Sequence, residues 1–327
     1  MKNGKRVNGL ILITVVAISC LLGVQMCLAE TYPERPITLV CGYNPGGPAS
    51  SIATMAAKCV SGLLKKPMVV EHRTGAGATI GATFVSKAKP DGYTLFIGSD
   101  SNMVVAPLVN PNVHYTLESF VPITGIASIP TAINVLPNRW KNLGELVADA
   151  KKHPNKITYS TQGANSYSHL GMVMLCEKAD IKLKMVPMQG VAKTTTALLG
   201  GHIDIGAAQM GHMYEAGKVD ILAMAEPKRL PNFPQIPTLT ELGYPIVANG
   251  NFYILAPKGT PQPIVDKLNT AFVQAFKKER DSFEQILNKF QMLPAVLPPP
   301  QVEEQNRKRR DQFREVLKKM NNLVEGR

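Results

Sequence analysis

The sequence predicts an α/β protein of two lobes, each a mostly parallel sheet flanked by helices, with two hinge crossings between them. Three observations predict it. The stretch from Tyr32 to Gly98 alternates strand, glycine turn and helix as a βαβαβ unit; the stretch from Ala132 to Ala225 repeats that alternation; and a Pro-rich connection, PNFPQIPTLTELGYP, then leads to one more apolar strand at Phe252–Ala256. Roughly 300 residues beyond the leader exceed one ordinary domain, so two cores are expected.

In the first unit the strands are Ile37–Gly42, Met68–Glu71 and Thr94–Ile97. Parallel strands joined in this way present ligands at their carboxyl ends, where helix amino termini leave unpaired N–H donors and a partial positive charge. Asn44–Gly47 feeds a helix with Pro48, Ser50 and Ser51 at its entrance, where Pro fits the first turn and Ser can cap. Ile52, Met55, Ala56, Cys59 and Leu63 recur at helical spacing and should face the sheet. GAGATIG at Gly75–Gly81 follows a strand and opens a helix, but its Gly-x-Gly-x-x-x-Gly spacing misses the dinucleotide fingerprint and it follows the second strand, not the first. Turn geometry explains these glycines equally well, and no cofactor is expected.

The second lobe begins after Val121–Gly125 and reads as strand Ala132–Leu136, helix Leu143–Lys152 and strand Ile157–Ser160. The loop TQGANSYSHLG then enters a helix with Leu170, Val173 and Met174 on one face. Strand Leu183–Pro187, a turn at Gly190, helix Lys193–Leu199 and strands Ile203–Ala207 and Ile221–Ala225 complete it. A long helix opened by Thr260-Pro261 follows the returning strand, which places the hinge crossings near Gly125–Pro130 and Ala248–Asn251. A clamshell follows from that topology, with residues 30–126 and 251–327 in one lobe and 127–250 in the other.

Residues 1–29 read as a secretory signal peptide: Lys2, Lys5 and Arg6 precede an apolar run, and Cys27-Leu28-Ala29 offers small residues for cleavage near Ala29. An uncleaved anchor stays open by length, whereas neither Cys20 nor Cys27 follows a lipoprotein triplet. The leader carries three basic and no acidic residues, so its removal lowers the formal charge from +12 to +9. Such a balance favours anionic solutes or membrane surfaces without identifying either. The run Arg307-Lys308-Arg309-Arg310, with Arg314, Lys318 and Lys319, lies on a C-terminal helix whose buried stripe is Phe313, Val316 and Leu317. It reads as a solvated face, and no basic-aromatic interleaving points to nucleic acid.

Cys41, Cys59 and Cys176 remain beyond the leader, each in an apolar context. Buried thiols are expected, with a Cys41–Cys59 disulfide left open. Trp140, the only tryptophan, is expected in peripheral packing beside a helix start. Ser166, His169 and Asp204 contain the residue types of a hydrolase triad, yet no Gly-x-Ser-x-Gly elbow occurs. Ser166 as a helix cap with His169 in the first turn is the plainer reading, with ligand contact as the alternative. No His-Glu-x-x-His or clustered His/Cys set argues for a metal. Asp100 and Asp204 are candidate site acids that loop solvation or capping would explain equally well.

YPERPITLV…PGG, VVEHRTGAGATIGATFV…PDGYTL, the GANSYSH loop, LLGGHID, PNFPQIPTLTELGYP and LAPKGTPQPIVDKLN, taken in order, resemble the Bug-type solute receptors of tripartite tricarboxylate transporters. The resemblance covers about the whole mature chain. It implies a monomeric periplasmic receptor with the two-lobed fold of periplasmic binding proteins, of a type II-like kind. Such a receptor would capture a small organic acid between its lobes and deliver it to small and large integral-membrane permease subunits. The binding positions it implies are Pro45, Gly46, Gly47, Ser50 and Ser51 in the first loop; Ser99, Asp100, Ser101 and Asn102 after the third strand; and Gly163, Asn165, Ser166, His169, Gln189, Gly190 and Asp204 in the second lobe. The chain departs from the family at Ser50, Thr54 and Met188-Gln189-Gly190, and a shortened segment leaves Gln209 without an assigned role. An exported hydrolase acting on carboxylate esters and a sensory receptor for a membrane partner are the competing readings.

Overall fold

The structure, a computed structural model, describes residues 32–164, 166–188 and 190–325. The expected signal peptide and two expected site residues, Asn165 and Gln189, lie outside the described residues. The first lobe opens with β1 (Ile37–Cys41), α1 (Pro48–Leu64), β2 (Met68–His72), α2 (Thr79–Ser86) and β3 (Thr94–Ser99). A π-helical turn at Ser101–Val105 runs into α3 (Ala106–Val109), and β4 (Phe120–Ile129) follows. Then come β5 (Ala132–Val135), α4 (Leu143–Lys152), β6 (Thr158–Thr161), α5 (Tyr167–Ala179), β7 (Lys184–Met185), α6 (Val191–Leu199), β8 (Ile205–Ala208), α7 (Gly211–Glu215) and β9 (Asp220–Met224). The chain ends with β10 (Gly250–Pro257), α8 (Gln262–Lys278), α9 (Arg280–Lys289), β11 (Leu293–Pro294) and α10 (Pro299–Glu325).

Two sheets result, ordered β11-β4-β10-β3-β1-β2 and β7-β6-β8-β5-β9. Both are mixed, which corrects the expectation of mostly parallel sheets. β1 pairs in parallel with β2 and β3, and β6 with β7 and β8. β10 runs antiparallel to both β3 and β4, and β5 antiparallel to both β8 and β9. The reason is topological: β4 carries the chain out of the first sheet and β10 brings it back, so two neighbouring strands must run in opposite senses. The crossings therefore lie side by side, at Pro130–Thr131 between β4 and β5, and just before Gly250.

Each sheet has its own core. In the first, α1, α8 and α9 cover one face with Ile52, Val60, Leu268, Phe272, Phe276 and Phe283 over Leu39, Leu95 and Ile97. In the second, Leu146, Leu170, Leu175 and Trp140 pack over Ile133, Tyr159 and Ile205. Trp140 is thus core, not periphery: it is 5% exposed and its Nε1 donates to Asp149 Oδ2 at 2.9 Å. The apolar stripe of α10 lands where the pattern placed it, but on the second lobe, with Phe313 and Val316 in that core while Val302, eleven residues earlier, packs in the first lobe. One helix therefore spans both lobes. Cys41, Cys59 and Cys176 are free thiols, and no helix among the described residues is long and apolar enough to cross a membrane.

Candidate functional site

A cleft of about 560 Å³ lies where the strand ends of the two sheets meet, large enough for a small organic ligand. The first lobe supplies Tyr43, Pro45, Gly47, Pro48 and Ala49 from the turn into α1, and Ser99, Asp100 and Ser101 from the end of β3. The second supplies Gln162, Tyr167, Gly190, Val191 and Gln209, and the crossings supply Ile129, Gly250, Asn251 and Phe252. Among the described residues its lining holds aromatic and aliphatic walls, neutral hydrogen-bonding groups, one aspartate and no Lys, Arg or His.

Helix starts shape the two facing walls. Gly47 caps α1 with Pro48 in the first turn and no side-chain hydrogen bond, so the first N–H groups of a 17-residue helix are left to the cleft. Gly190, at φ 89°, starts α6 in the same way, and no side chain caps it. Only a residue without a Cβ takes that conformation freely. Between them, α5 is closed by its own cap: Ser166 Oγ accepts from His169 N–H at 3.2 Å and donates to Gly163 O at 2.8 Å.

Buried hydrogen bonds hold the polar lining in place. Asn102, fully buried, accepts from Ser99 N–H at 3.0 Å and donates Nδ2–H to Tyr43 Oη at 3.2 Å, while Tyr43 Oη and Ser99 Oγ share a bond of 2.7 Å. Burial pushes the Tyr43 phenol up to about 12, so it stays a neutral donor. Across the cleft Gln162 Nε2 donates to Tyr167 Oη at 2.6 Å and to Gln209 Oε1 at 3.1 Å. These bonds tie the polar groups of each wall to one another.

The expected positions divide accordingly. Pro45, Gly47, Ser99, Asp100, Ser101 and Gly190 line the cleft, and Gly46 sits within the same turn. Asn102 supports from beneath. Ser50 is buried inside the first turn of α1, and neither it nor Ser51 caps the helix or lines the cleft, because Gly47 holds the cap position. Gly163 opens on a neighbouring cavity beside α6. His169 is 7% exposed and stacks on Tyr159, where burial lowers its basicity, and it does not line the cleft. Asp204 is placed at the far end of β8 from Gln209, accepting from Thr158 N–H and Oγ1–H at 2.8 Å each and pairing with Arg139 at 3.1 Å. It is an anchor of sheet geometry, far from Ser166 and His169 in role. Tyr43, Gln162, Tyr167, Asn251 and Phe252 are lining residues that the sequence does not single out, and Gln209, left without a role there, lines the cleft as well. Gln162 follows β6 directly and Tyr43 follows β1 after one residue, so the strand-end rule that found Ser99 also reaches them.

Two α/β lobes joined by paired crossing strands, with a neutral donor-lined cleft between them, define a solute-binding protein of the clamshell kind. Among the described residues no cluster of His, Cys, Asp and Glu could hold a metal. The chain belongs to the tripartite tricarboxylate transporter receptor family, whose sequence model matches residues 52–322. BugT of Bordetella pertussis is 31% identical over 77% of this chain and 79% of its own. A TctC solute-binding protein from Polaromonas superimposes with a TM-score of 0.82 at 26% identity, over 88% of this chain and all of that one. Two structures from Rhodopseudomonas palustris are also similar at 26% identity: MatC with bound malate, TM-score 0.67 over 87% of this chain and 99% of its own, and Rpa4515 with adipate, TM-score 0.70 over 88% and 97%. Receptors of this family are periplasmic binding proteins and not enzymes, which removes the hydrolase reading.

Proposed function

We propose that the protein captures a small dicarboxylate between its lobes in the periplasm and delivers it, as a monomer, to the small and large subunits of a tripartite membrane permease. One observation carries the reading: α1 and α6, one from each lobe, open on the same cleft with glycine at the cap position and no side chain capping them. A carboxylate at each helix start would take the missing cap's place, receiving N–H donors and the favourable end of the helix dipole. Malate and adipate, seen in the two R. palustris relatives, both carry a carboxylate at each end. Neutral donors such as Ser99, Ser101 and Gln209 suit a site that must later release its cargo, because they add hydrogen bonds without a buried countercharge.

The direct test is calorimetric titration with malate, succinate and adipate beside their mono-amides. Dicarboxylates should bind one per chain and the mono-amides more weakly. Equal binding of acid and amide would remove the second carboxylate from the reading. Delivery is tested by uptake of the bound acid in cells expressing permease subunits with and without this receptor.

A further inference from the structure

Asp100 is an unexpected floor for a cleft that takes acids. It sits between Ser99 and Ser101 at the cleft, its side chain fully buried, and its charge has the sign of the ligand. Three donors converge on it. Asn251 Nδ2 donates to Oδ2 at 3.0 Å, Tyr253 Oη donates to Oδ1 at 3.4 Å, and Arg309 Nη1 lies 2.5 Å from Oδ2. Arg309 comes from α10, 209 residues further along, with a side chain 8% exposed, and it does not line the cleft. Its other terminal nitrogen, Nη2, donates to Asn249 Oδ1 at 2.5 Å, fixing the guanidinium to the returning crossing. Besides these, the groups facing Asp100 are Tyr43 beyond β1 and Tyr167 from α5, both phenols, with the Glu226 carboxyl one side chain further off beyond Asn249.

Resting on the carboxylate reading above, we propose that Arg309 is a positioning residue for ligand charge, cancelling Asp100 from beneath the cleft floor and so setting the cleft's preference for anions. A guanidinium keeps its charge at every accessible pH and meets a carboxylate with a rigid fork, which a lysine would not reproduce. In a closed cleft water no longer screens the floor, so an uncancelled aspartate would act on a ligand carboxylate at low effective dielectric. Burial drives the Asp100 carboxyl upward from its ordinary value while Arg309, Asn251 and Tyr253 pull against it. Without Arg309, Asp100 would bind a proton at low pH and carry a bare charge at high pH, which makes the consequence of its loss depend on pH.

The experiment compares wild type, Asp100→Asn, Arg309→Met and the double variant by calorimetric titration with malate and adipate from about pH 5 to about pH 8.5. Asp100→Asn keeps an oxygen for Arg309 and Asn251 and turns an amide N–H toward the Tyr253 hydroxyl, which can accept it. It should bind both acids about tenfold more tightly, the effect of one uncancelled cation near the ligand. Arg309→Met should bind them more weakly than wild type, with the loss relative to wild type growing as pH rises, and the double variant should return to near wild-type affinity with a pH profile parallel to that of wild type. A loss in Arg309→Met that is the same at every pH, or that Asp100→Asn does not restore, would overturn the proposal in favour of a purely structural arginine. Where Arg309→Met does not fold, Asp100→Asn decides alone, and unchanged or weaker binding overturns it. If wild type binds neither acid, the carboxylate reading falls and this proposal with it; if wild type binds and the variants miss this pattern, only this proposal falls.

Discussion

Glu226 Oε2 accepts a hydrogen bond from Asn249 Nδ2 at 2.7 Å while Oε1 accepts one from Thr131 N–H at 3.2 Å, so a single carboxyl ties the outgoing crossing to the returning one. The residue is 2% exposed, and burial pushes its carboxyl up to about 8 against the pull of Asn249, Thr131 and Arg309. The unfolded chain ionises this group near its ordinary value of 4.5, whereas the folded chain holds its proton until about 8. Between those values the folded state binds more protons, so stability falls as pH rises, by roughly 1.4 kcal/mol per unit at most, and levels off above the folded value. Melting curves across that window should show the fall, and Glu226→Gln should flatten its slope. An unaltered slope in the variant would assign the pH dependence to other groups.

Gly250 is the next point of contact between lobes. A Cβ there would lie 2.6 Å from the Tyr167 ring, and Tyr167 Oη accepts the bond that aligns Gln162 with Gln209. Gly250→Ala should cost about 1–3 kcal/mol through overpacking and should also weaken ligand binding by turning Tyr167 out of place. In wild type, ligand saturation should lower the radius of gyration measured by small-angle scattering, because donors in both lobes are satisfied by one ligand only when the cleft closes. The variant should show a smaller contraction. Equal contraction and equal affinity would mean that Tyr167 moves aside without consequence.

How far the sequence reveals this molecule depends on range. The βαβαβ unit, α4 at its observed bounds and the stripe of α10 follow from local periodicity, and the glycine-led starts of α1 and α6 follow from turn chemistry. β4 was hidden because Pro122 and Gly125 interrupt it; the strand tolerates both, with register shifts against β10 and with Gly125 lying where a Cβ would meet Ala295 O at 2.6 Å. Arg309 was hidden more thoroughly. Its neighbours Arg307, Lys308 and Arg314 are exposed and pair along the helix with Glu303, Glu304 and Asp311, as a solvated face should. Arg310, half-buried, reaches Glu118, and nothing in the basic run marks Arg309 as the residue that turns fully inward, since its partner lies 209 positions away.

The cap at Ser166 separates stability from binding. Ser166 accepts the His169 N–H and donates to Gly163 O, and it does not line the cleft. Ser166→Ala should therefore cost about 1 kcal/mol of stability as a lost cap. Affinity for a dicarboxylate should stay within about twofold, since no cleft contact is removed. Calorimetric unfolding beside ligand titration measures both. A clear loss of affinity would bring the GANSYSH loop into the ligand's shell.

The final prediction concerns ligands that carry an amine. The cleft offers the open helix starts at Gly47 and Ala49 and at Val191, neutral donors in Ser99, Ser101 and Gln209, and, among the described residues, a single acid. That acid, Asp100, is already engaged by Arg309, Asn251 and Tyr253, and Asp204, the other candidate, is held by Thr158 and Arg139 at the far end of β8. An α-ammonium group would therefore lose its water in the closed cleft without gaining a carboxylate partner, at a cost of a few kcal/mol, roughly 2 to 3. Succinate should outcompete aspartate, and adipate should outcompete 2-aminoadipate, by about a hundredfold, the ratio that such a cost implies. Paired competition titrations measure it directly. Equal or tighter binding of the amino compounds would mean that Asp100 exchanges Arg309 for the ligand's ammonium, and the same titrations on Asp100→Asn would then show that preference disappear.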